Sequence, residues 1–271
     1  MPPSRTAYRI AYDGRPFQGF QRQPDVPTVE DSIFDALRAL SVFEGDRPPG
    51  YSAAGRTDAG VSAVEQTIAL DAPEWLEPSV LNAELPDAVR AWAAASVSSD
   101  FHATHHPAWR AYRYHLYAPA LDDGRVRTAL ESLAGEHDFH NLTPDDENTV
   151  RRLRGRVDRD DDYLLLTLRA GGFAREMVRR IVSLLRAVGA GDAPTAKVDR
   201  VLGTDPIDGP AGVPPAPAYP LVLWRVAYDA DFRIDTDAAG ATSDAFDRRA
   251  IEDRTRSRVG EAIASRIPDP R

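Results

Sequence analysis

Two hydrophobic periodicities take turns along this 271-residue chain, one of two residues and one of about 3.6. Tyr8, Ile10 and Tyr12 alternate with Arg9, Ala11 and Asp13, which predicts a half-buried strand, and Asp13-Gly14-Arg15-Pro16 predicts the turn after it. Val29, Ile33, Leu37 and Leu40 then recur at helical spacing behind Thr28, a good N-cap with Asp31 three residues on. The Gly- and Pro-rich stretch 45–50 closes that unit. Extended segments are expected over 67–71 and from Leu85 through Val97. Over 111–118 the alternation returns, with Tyr112, Tyr114 and Leu116 on one face and Arg113, His115 and Tyr117 on the other.

A helix is expected over 126–133, then a hairpin of 150–157 and 163–169 about the acidic turn 158–162. The strongest helical pattern runs from about 173 to 188, with Met177, Ile181, Leu184, Leu185 and Val188 as its buried stripe and Gly189 as its C′ residue. Arg175 and Arg179 stand one turn apart on a neighbouring stripe. Residues 205–220 read as a Pro- and Gly-rich surface loop and 221–228 as a final strand. Beyond Asp229 the chain turns acidic and polar. Thr242 or Ser243 is expected to cap a peripheral helix with a thin apolar face, ending near Arg266 before Pro268. Strands and helices mix in both halves with hairpins between them, so the expected class is α+β rather than a doubly wound parallel sheet. The length suits one large or two modest domains; two are expected, over 1–105 and 106–230, with 231–271 as an acidic peripheral tail.

Composition narrows the function. No apolar run is long enough to span a membrane, and the N-terminus lacks the apolar segment of a secretion signal. Without cysteine there are no disulfides and no thiolate metal or redox sites. A soluble, cytoplasmic protein is expected. Acidic residues number 42, of which 30 are Asp, while Lys197 is the one lysine among 33 basic residues, for a formal net charge of −9. Such an acidic, lysine-poor make-up resembles proteins of very salty cytoplasm; a high-GC codon bias would produce it too. The charge does not exclude a nucleic-acid partner. In roughly molar salt the Debye length is about 3 Å, so remote acids scarcely repel a phosphate. Binding would then lean on shape, stacking and bidentate arginine contacts.

The candidate chemistry begins at Ala54-Gly55-Arg56-Thr57-Asp58-Ala59-Gly60-Val61-Ser62-Ala63. One carboxylate sits in a loop of small residues, with a guanidinium two positions before it. An aspartate held bare in this way can act as nucleophile or proton acceptor. The same spacing also fits a plain capping loop. Tyr112, within Arg110-Ala111-Tyr112-Arg113-Tyr114, is a second candidate or a routine strand aromatic. Arg179, within Phe173-Ala174-Arg175-Glu176-Met177-Val178-Arg179-Arg180, is a third or an ordinary helix-surface charge. His102, His105 and His106 invite a metal reading, but no carboxylate or cysteine pattern completes a site.

Taken in order, these segments resemble the TruA-type tRNA pseudouridine synthases. The likeness includes Tyr12-Asp13-Gly14, Gly19-Phe20-Gln21-Arg22-Gln23, Thr28-Val29-Glu30, the Asp58 loop, Leu85-Pro86 and Asp100-Phe101-His102-Ala103. It continues through Tyr112-Arg113-Tyr114, Gly135-Glu136-His137-Asp138-Phe139, Met177-Val178-Arg179 and Ala216-Pro217-Ala218, and so covers about residues 7 to 229. The resemblance implies isomerisation of uridine to pseudouridine in the anticodon stem-loop of tRNA, typically at positions 38, 39 and 40. It implies no cofactor and no catalytic metal. Asp58 matches the essential carboxylate, Tyr112 the active-site tyrosine that stacks on the flipped base, and Arg179 the basic residue that pairs with the aspartate. It also implies a homodimer, and a pseudouridine-synthase fold of two similar domains sharing a continuous, mainly antiparallel sheet about a central cleft.

Elementary chemistry agrees with those roles. A uridine within a helix hides C1′ and C5, so it must be swung out at a cost of a few kcal/mol. Stacking on an aromatic ring offsets that cost, and Arg179 would stabilise the aspartate's charge in a partly dry site. Arg56 is expected to help the flip or contact RNA, and Arg15, Arg22, Arg110, Arg113 and Arg175 are further candidates for RNA contact. Departures from the family pattern are Ser62 where His is frequent, Thr104 where Arg is common, Phe20 for Trp and Pro220 for Gly. Two other classes compete: a catalytically silent RNA-binding module, and a glycosyl hydrolase using Asp58, which usually needs a second carboxylate.

Overall fold

Strand alternation becomes one ten-stranded sheet in the computed structural model, which describes residues 4–207, 209 and 212–267. The strands are β1 (Ser4–Tyr12), β2 (Ser52–Ala53), β3 (Ser62–Ala72), β4 (Val89–Ser96), β5 (Trp109–Tyr117), β6 (Gly135–Asp138), β7 (Val150–Asp160), β8 (Tyr163–Ala170), β9 (Leu221–Ala227) and β10 (Arg233–Ile234). Across the sheet they lie in the order β10, β4, β1, β3, β9, β5, β8, β7, β6, with β2 beside β3. Neighbours are antiparallel except β3 and β9, which pair in parallel through Ser62 with Val222 and Ala63 with Leu223. That short parallel junction joins β1–β4, with β10 at their edge, to β5–β9. The α+β class with a large, mainly antiparallel sheet is the one expected from the sequence.

Two main cores flank the junction, with Leu223 and Val226 of β9 joining the first and Val61 the second. Tyr8, Ile10 and Tyr12 pack with Val29, Ile33, Phe34 and Leu37 of α1 (Val29–Ala39) and with Leu81 of α2 (Pro78–Glu84). Thr28 caps α1, its side chain accepting from the Asp31 amide at 3.2 Å. In the second core, Leu116, Leu164, Leu166 and Leu168 meet the apolar stripes of α3 (Asp123–Leu133), α4 (Met177–Ala190) and α5 (Ala196–Val201). Each fully buried Leu or Ile contributes roughly 1.5–3 kcal/mol by leaving water. Tyr112 packs against both cores and so sits on the seam between them.

Three expectations need correction. The main helix starts at Met177, not 173, because Asp145 accepts from the Arg175 amide at 2.8 Å and Thr143 donates to the Arg175 carbonyl at 2.9 Å, holding residues 173–176 out of the helix. It also ends later. Gly189 stays helical, where a Cβ would stand 2.5 Å from Val126 of α3, and Gly191 takes the left-handed C-terminal conformation at φ 83°. Lastly, β9 is followed by β10 and by α6 (Thr236–Ala264), which Asp235 caps in place of Thr242 or Ser243. Ala238, Thr242 and Ala245 of α6 are buried, and the helix packs on β4. Ion pairs tie it down further along: Arg249 reaches Asp13 at 3.2 Å and Arg15 reaches Asp253 at 2.7 Å. Part of the loop expected over 205–220 (208, 210 and 211) and Pro268 lie outside the described residues.

Candidate active site

The Asp58 loop leaves the sheet between β2 and β3 and is pinned on both sides. The Ala54 amide donates to the Thr67 carbonyl at 2.8 Å, the Phe20 amide to the Thr57 carbonyl at 3.1 Å and the Val61 amide to the Asp58 carbonyl at 3.1 Å. The bend leaves the Asp58 side chain about a third exposed. Facing it across the seam is the first turn of α4. Arg179 points its Nη1 at Asp58 Oδ2, 3.2 Å away, and its Nε at the Ala216 carbonyl, 2.6 Å away. The Ala216 amide in turn donates to the Arg179 carbonyl at 3.1 Å. Arg179 is thus fixed at both ends before it meets the carboxylate, its side chain 17% exposed.

Tyr112 of β5 completes the group. Its ring meets Phe173 edge-on, with centroids 5.2 Å apart and planes at 87°. Its hydroxyl points toward Gly55, where a Cβ would stand 3.8 Å from it. Burial pushes the phenol pKa up to about 12; the Arg110 charge opposes that rise and the Asp58 charge adds to it. Tyr112 therefore enters any reaction at neutral pH as a neutral phenol.

Asp58, Tyr112 and Arg179 line one hollow of about 930 Å³. Phe20, Phe34, Phe173 and Val178 supply apolar wall. The expected arginines part company here. Arg56 lines the hollow, exposed, with no ion pair among the described residues. Arg22 lines it but is held by Asp31 at 2.8 Å, and Arg175 lines it beside Asp145 at 3.3 Å. Arg110 lines it as a tie between loops, donating to the carbonyls of Ala54, Thr104 and Gly171. Arg113 is not brought in. It lies over the Trp224 ring at 3.8 Å and donates to Thr167, away from the hollow. Arg15 is likewise engaged elsewhere, with Asp13 and Asp253.

Sequence reasoning missed Arg47, Tyr51 and Arg151, which also line the hollow. No local signal marks them; Arg151 comes from β7, and Arg47 and Tyr51 from the loop before β2. His102 and His105 reach its rim with their rings 4.3 Å apart, and among the described residues no group of three His, Cys, Asp or Glu is placed to hold a metal ion. Ser62, where the family pattern has His, accepts from the Gly14 amide at 3.0 Å and so serves the backbone. Thr104 donates to the Ala53 carbonyl at 2.6 Å.

A carboxylate backed by a fixed guanidinium, with a neutral phenol on an aromatic wall beside it, brings together the three residues that the family resemblance singles out. Comparison with known proteins points the same way. A sequence model of the family described as tRNA pseudouridine synthase matches residues 129–229, a span holding Arg179 but neither Asp58 nor Tyr112. Relatives cover nearly the whole chain. The tRNA pseudouridine synthase A of Halobacterium salinarum is 53% identical over 266 residues, covering 96% of this chain and 99% of that protein. The Haloarcula marismortui protein of the same name is 53% identical over 269 residues, covering 95% and 98%. That of Methanosarcina mazei is 36% identical over 266 residues, covering 96% and 98%. Among solved structures, an archaeal box H/ACA sRNP Nop10–Cbf5 complex matches at a TM-score of 0.35 and 13% identity over 68% of this chain and 43% of that one, too slight a likeness to bear on fold or function. With such identity sustained from end to end, the chain belongs to the tRNA pseudouridine synthases, the isomerases that rebuild uridine as pseudouridine within tRNA.

Proposed function

We propose that this enzyme acts on uridines of the tRNA anticodon stem-loop, typically positions 38, 39 and 40, with Asp58, Tyr112 and Arg179 as its catalytic group. The observation that carries the reading is the 3.2 Å pair of Arg179 and Asp58 at the floor of a hollow that Tyr112 also lines. The uridine is swung out of its helix into that hollow at a cost of a few kcal/mol, and stacking on Tyr112, worth roughly 1–3 kcal/mol, offsets it. Arg56, exposed and without an ion pair among the described residues, contacts the RNA as the base leaves the stack.

Asp58 drives the rearrangement. The N1–C1′ bond breaks, the uracil turns, C5 bonds to C1′, C5 gives up its proton and N1 gains one. No atom is added to the nucleotide or removed from it. The neutral Tyr112 phenol is placed for a late proton transfer. The enzyme works as a homodimer in the cytoplasm, and its acidic, lysine-poor surface suits a salty one.

Asp58→Asn tests the reading. The variant should bind unmodified tRNA as the wild type does and form no pseudouridine, mapped chemically along the tRNA. Pseudouridine formed by the variant at the wild-type rate would remove Asp58 from the mechanism. Free uracil released by the wild type would mark a hydrolase instead.

A further inference from the structure

Gly55 and Thr57 bracket Arg56 and lead straight into Asp58, and both are held from beneath by buried side chains. The Tyr12 hydroxyl lies 2.7 Å from Thr57 Oγ1. Gln66 Nε2 donates to the Gly55 carbonyl at 2.8 Å and reaches the Tyr12 hydroxyl at 3.5 Å. With Gln66 as donor to Tyr12, the phenol proton is directed to Thr57. The Gln66 carbonyl is spent on the Thr67 amide at 3.1 Å, which fixes the orientation of its amide group. Tyr12 is 1% exposed, Gln66 is fully buried and Thr57 is 6% exposed. Buried polar side chains are costly unless fully bonded, so a satisfied network of this kind sets one geometry and resists others.

This network touches no reacting group, yet it fastens the residue just before Asp58 and the residue three before it. Tyr12 sits on β1 and Gln66 on β3, paired strands of the rigid sheet. The loop, left to its small residues, would sample many conformations; the two strands confine it. We propose that Tyr12 and Gln66 are positioning residues, which hold the Asp58 loop through Thr57 and Gly55 so that the carboxylate meets Arg179 and the flipped nucleotide in register. The proposal rests on the reading of Asp58 as the catalytic carboxylate. A displacement of about an ångström at a reacting group costs up to a hundredfold in rate.

Single-turnover pseudouridine formation and tRNA binding are measured on Tyr12→Phe, Thr57→Val, Thr57→Ser, Gln66→Met and the double variant Tyr12→Phe/Thr57→Val. Tyr12→Phe, Thr57→Val and Gln66→Met should each slow the reaction by about tenfold or more with the tRNA dissociation constant unchanged. Thr57→Ser, which keeps the hydroxyl, should retain the rate. The double variant should be no slower than the worse of its two parents, because both remove the same bond. Losses that multiply in the double variant, wild-type rates in Tyr12→Phe and Thr57→Val, or weakened binding at an unchanged rate would each overturn the proposal. If Tyr12→Phe does not fold, Thr57→Val against Thr57→Ser decides alone, equal rates overturning it. An active Asp58→Asn would instead bring down the catalytic reading, whereas a fast Tyr12→Phe beside an inert Asp58→Asn removes only the positioning role.

Discussion

Replacing Arg179 with methionine keeps the apolar stem and removes both polar contacts, and the loss divides into two parts. The first is the pair with Asp58. Exposed ion pairs contribute about 0–1 kcal/mol, while breaking a buried pair costs about 3–5 kcal/mol because a charge is left alone. With side chains 17% and 36% exposed, this pair falls between those limits, at about 1–2 kcal/mol. The second part is the Ala216 carbonyl, buried and served by Arg179 Nε at 2.6 Å. Leaving it unpaired costs about 1–2 kcal/mol. Together they amount to about 2–4 kcal/mol, a fall in melting temperature of about 5–15 °C for a chain of this size.

The two parts separate in an Asp58→Asn background. There the uncompensated charge is already gone, so Arg179→Met should cost only the carbonyl share of about 1–2 kcal/mol. Urea unfolding of wild type, both single variants and the double variant gives the difference directly. Arg179→Lys should recover part of the loss, since an ammonium reaches one partner but lacks the fork that serves both. An equal loss in the two backgrounds would refute the argument that Arg179 stabilises the Asp58 charge, leaving it as a strut for the Ala216 loop.

Gly14→Ala should destabilise the protein by about 1–3 kcal/mol and lower its rate, because a Cβ there would sit 2.1 Å from the Val61 carbonyl oxygen in the turn that closes the Asp58 loop. Gly171→Ala, with nothing within 4 Å of its Cβ, is the control, and equal stability of the two variants would dismiss the contact. Alkaline pH should also unfold the enzyme. Burial raises the pKa of Tyr8, Tyr12 and Tyr228 above the ordinary value and takes Tyr112 and Tyr114 up to about 12. The native state keeps these protons while the unfolded chain releases them at about 10, so their contribution is complete below pH of about 10 and falls as pH rises above it, through about 12 for Tyr112 and Tyr114 and beyond that for the other three. Denaturant titrations at pH 8, 10 and 11 with phenolate absorbance check this; stability unchanged over that range would contradict it.

Much of the fold was legible because its signals are local. Alternation over Tyr8 to Tyr12 and Tyr112 to Leu116, and the Thr28 cap, each depend on neighbours within a few residues. The start of α4 was not legible, since the bonds that hold residues 173–176 out of the helix come from Thr143 and Asp145, some thirty positions earlier. The same distinction runs through the site. Asp58, Tyr112 and Arg179 were singled out by the family resemblance, and all three line one hollow. What each arginine does with its charge depends on partners that no sequence window contains. Arg110 is consumed by the carbonyls of Ala54, Thr104 and Gly171, and Arg113 lies on Trp224, so identical residue types three positions apart in one strand have different surroundings.

Arginine is put to unequal use across this chain of net charge −9. Away from the hollow, carboxylates neutralise many guanidiniums, as in Arg5 with Asp71, Arg15 with Asp13 and Arg159 with Asp123. Around the hollow, Arg47, Arg56, Arg110 and Arg151 have no carboxylate partner among the described residues. Seven arginines line the hollow against the carboxylates of Glu30, Asp46, Asp58, Asp145 and Glu176. Screening decides whether that placement matters. At roughly molar salt charges interact over about 3 Å, so the acidic surface neither repels a distant phosphate nor weakens a guanidinium in contact with one. Under those conditions only direct, forked contacts discriminate, and arginine supplies them where lysine would offer a hydrated point charge. The one lysine among 33 basic residues is then no handicap to binding tRNA, because the contacts that survive high salt are the ones arginine makes.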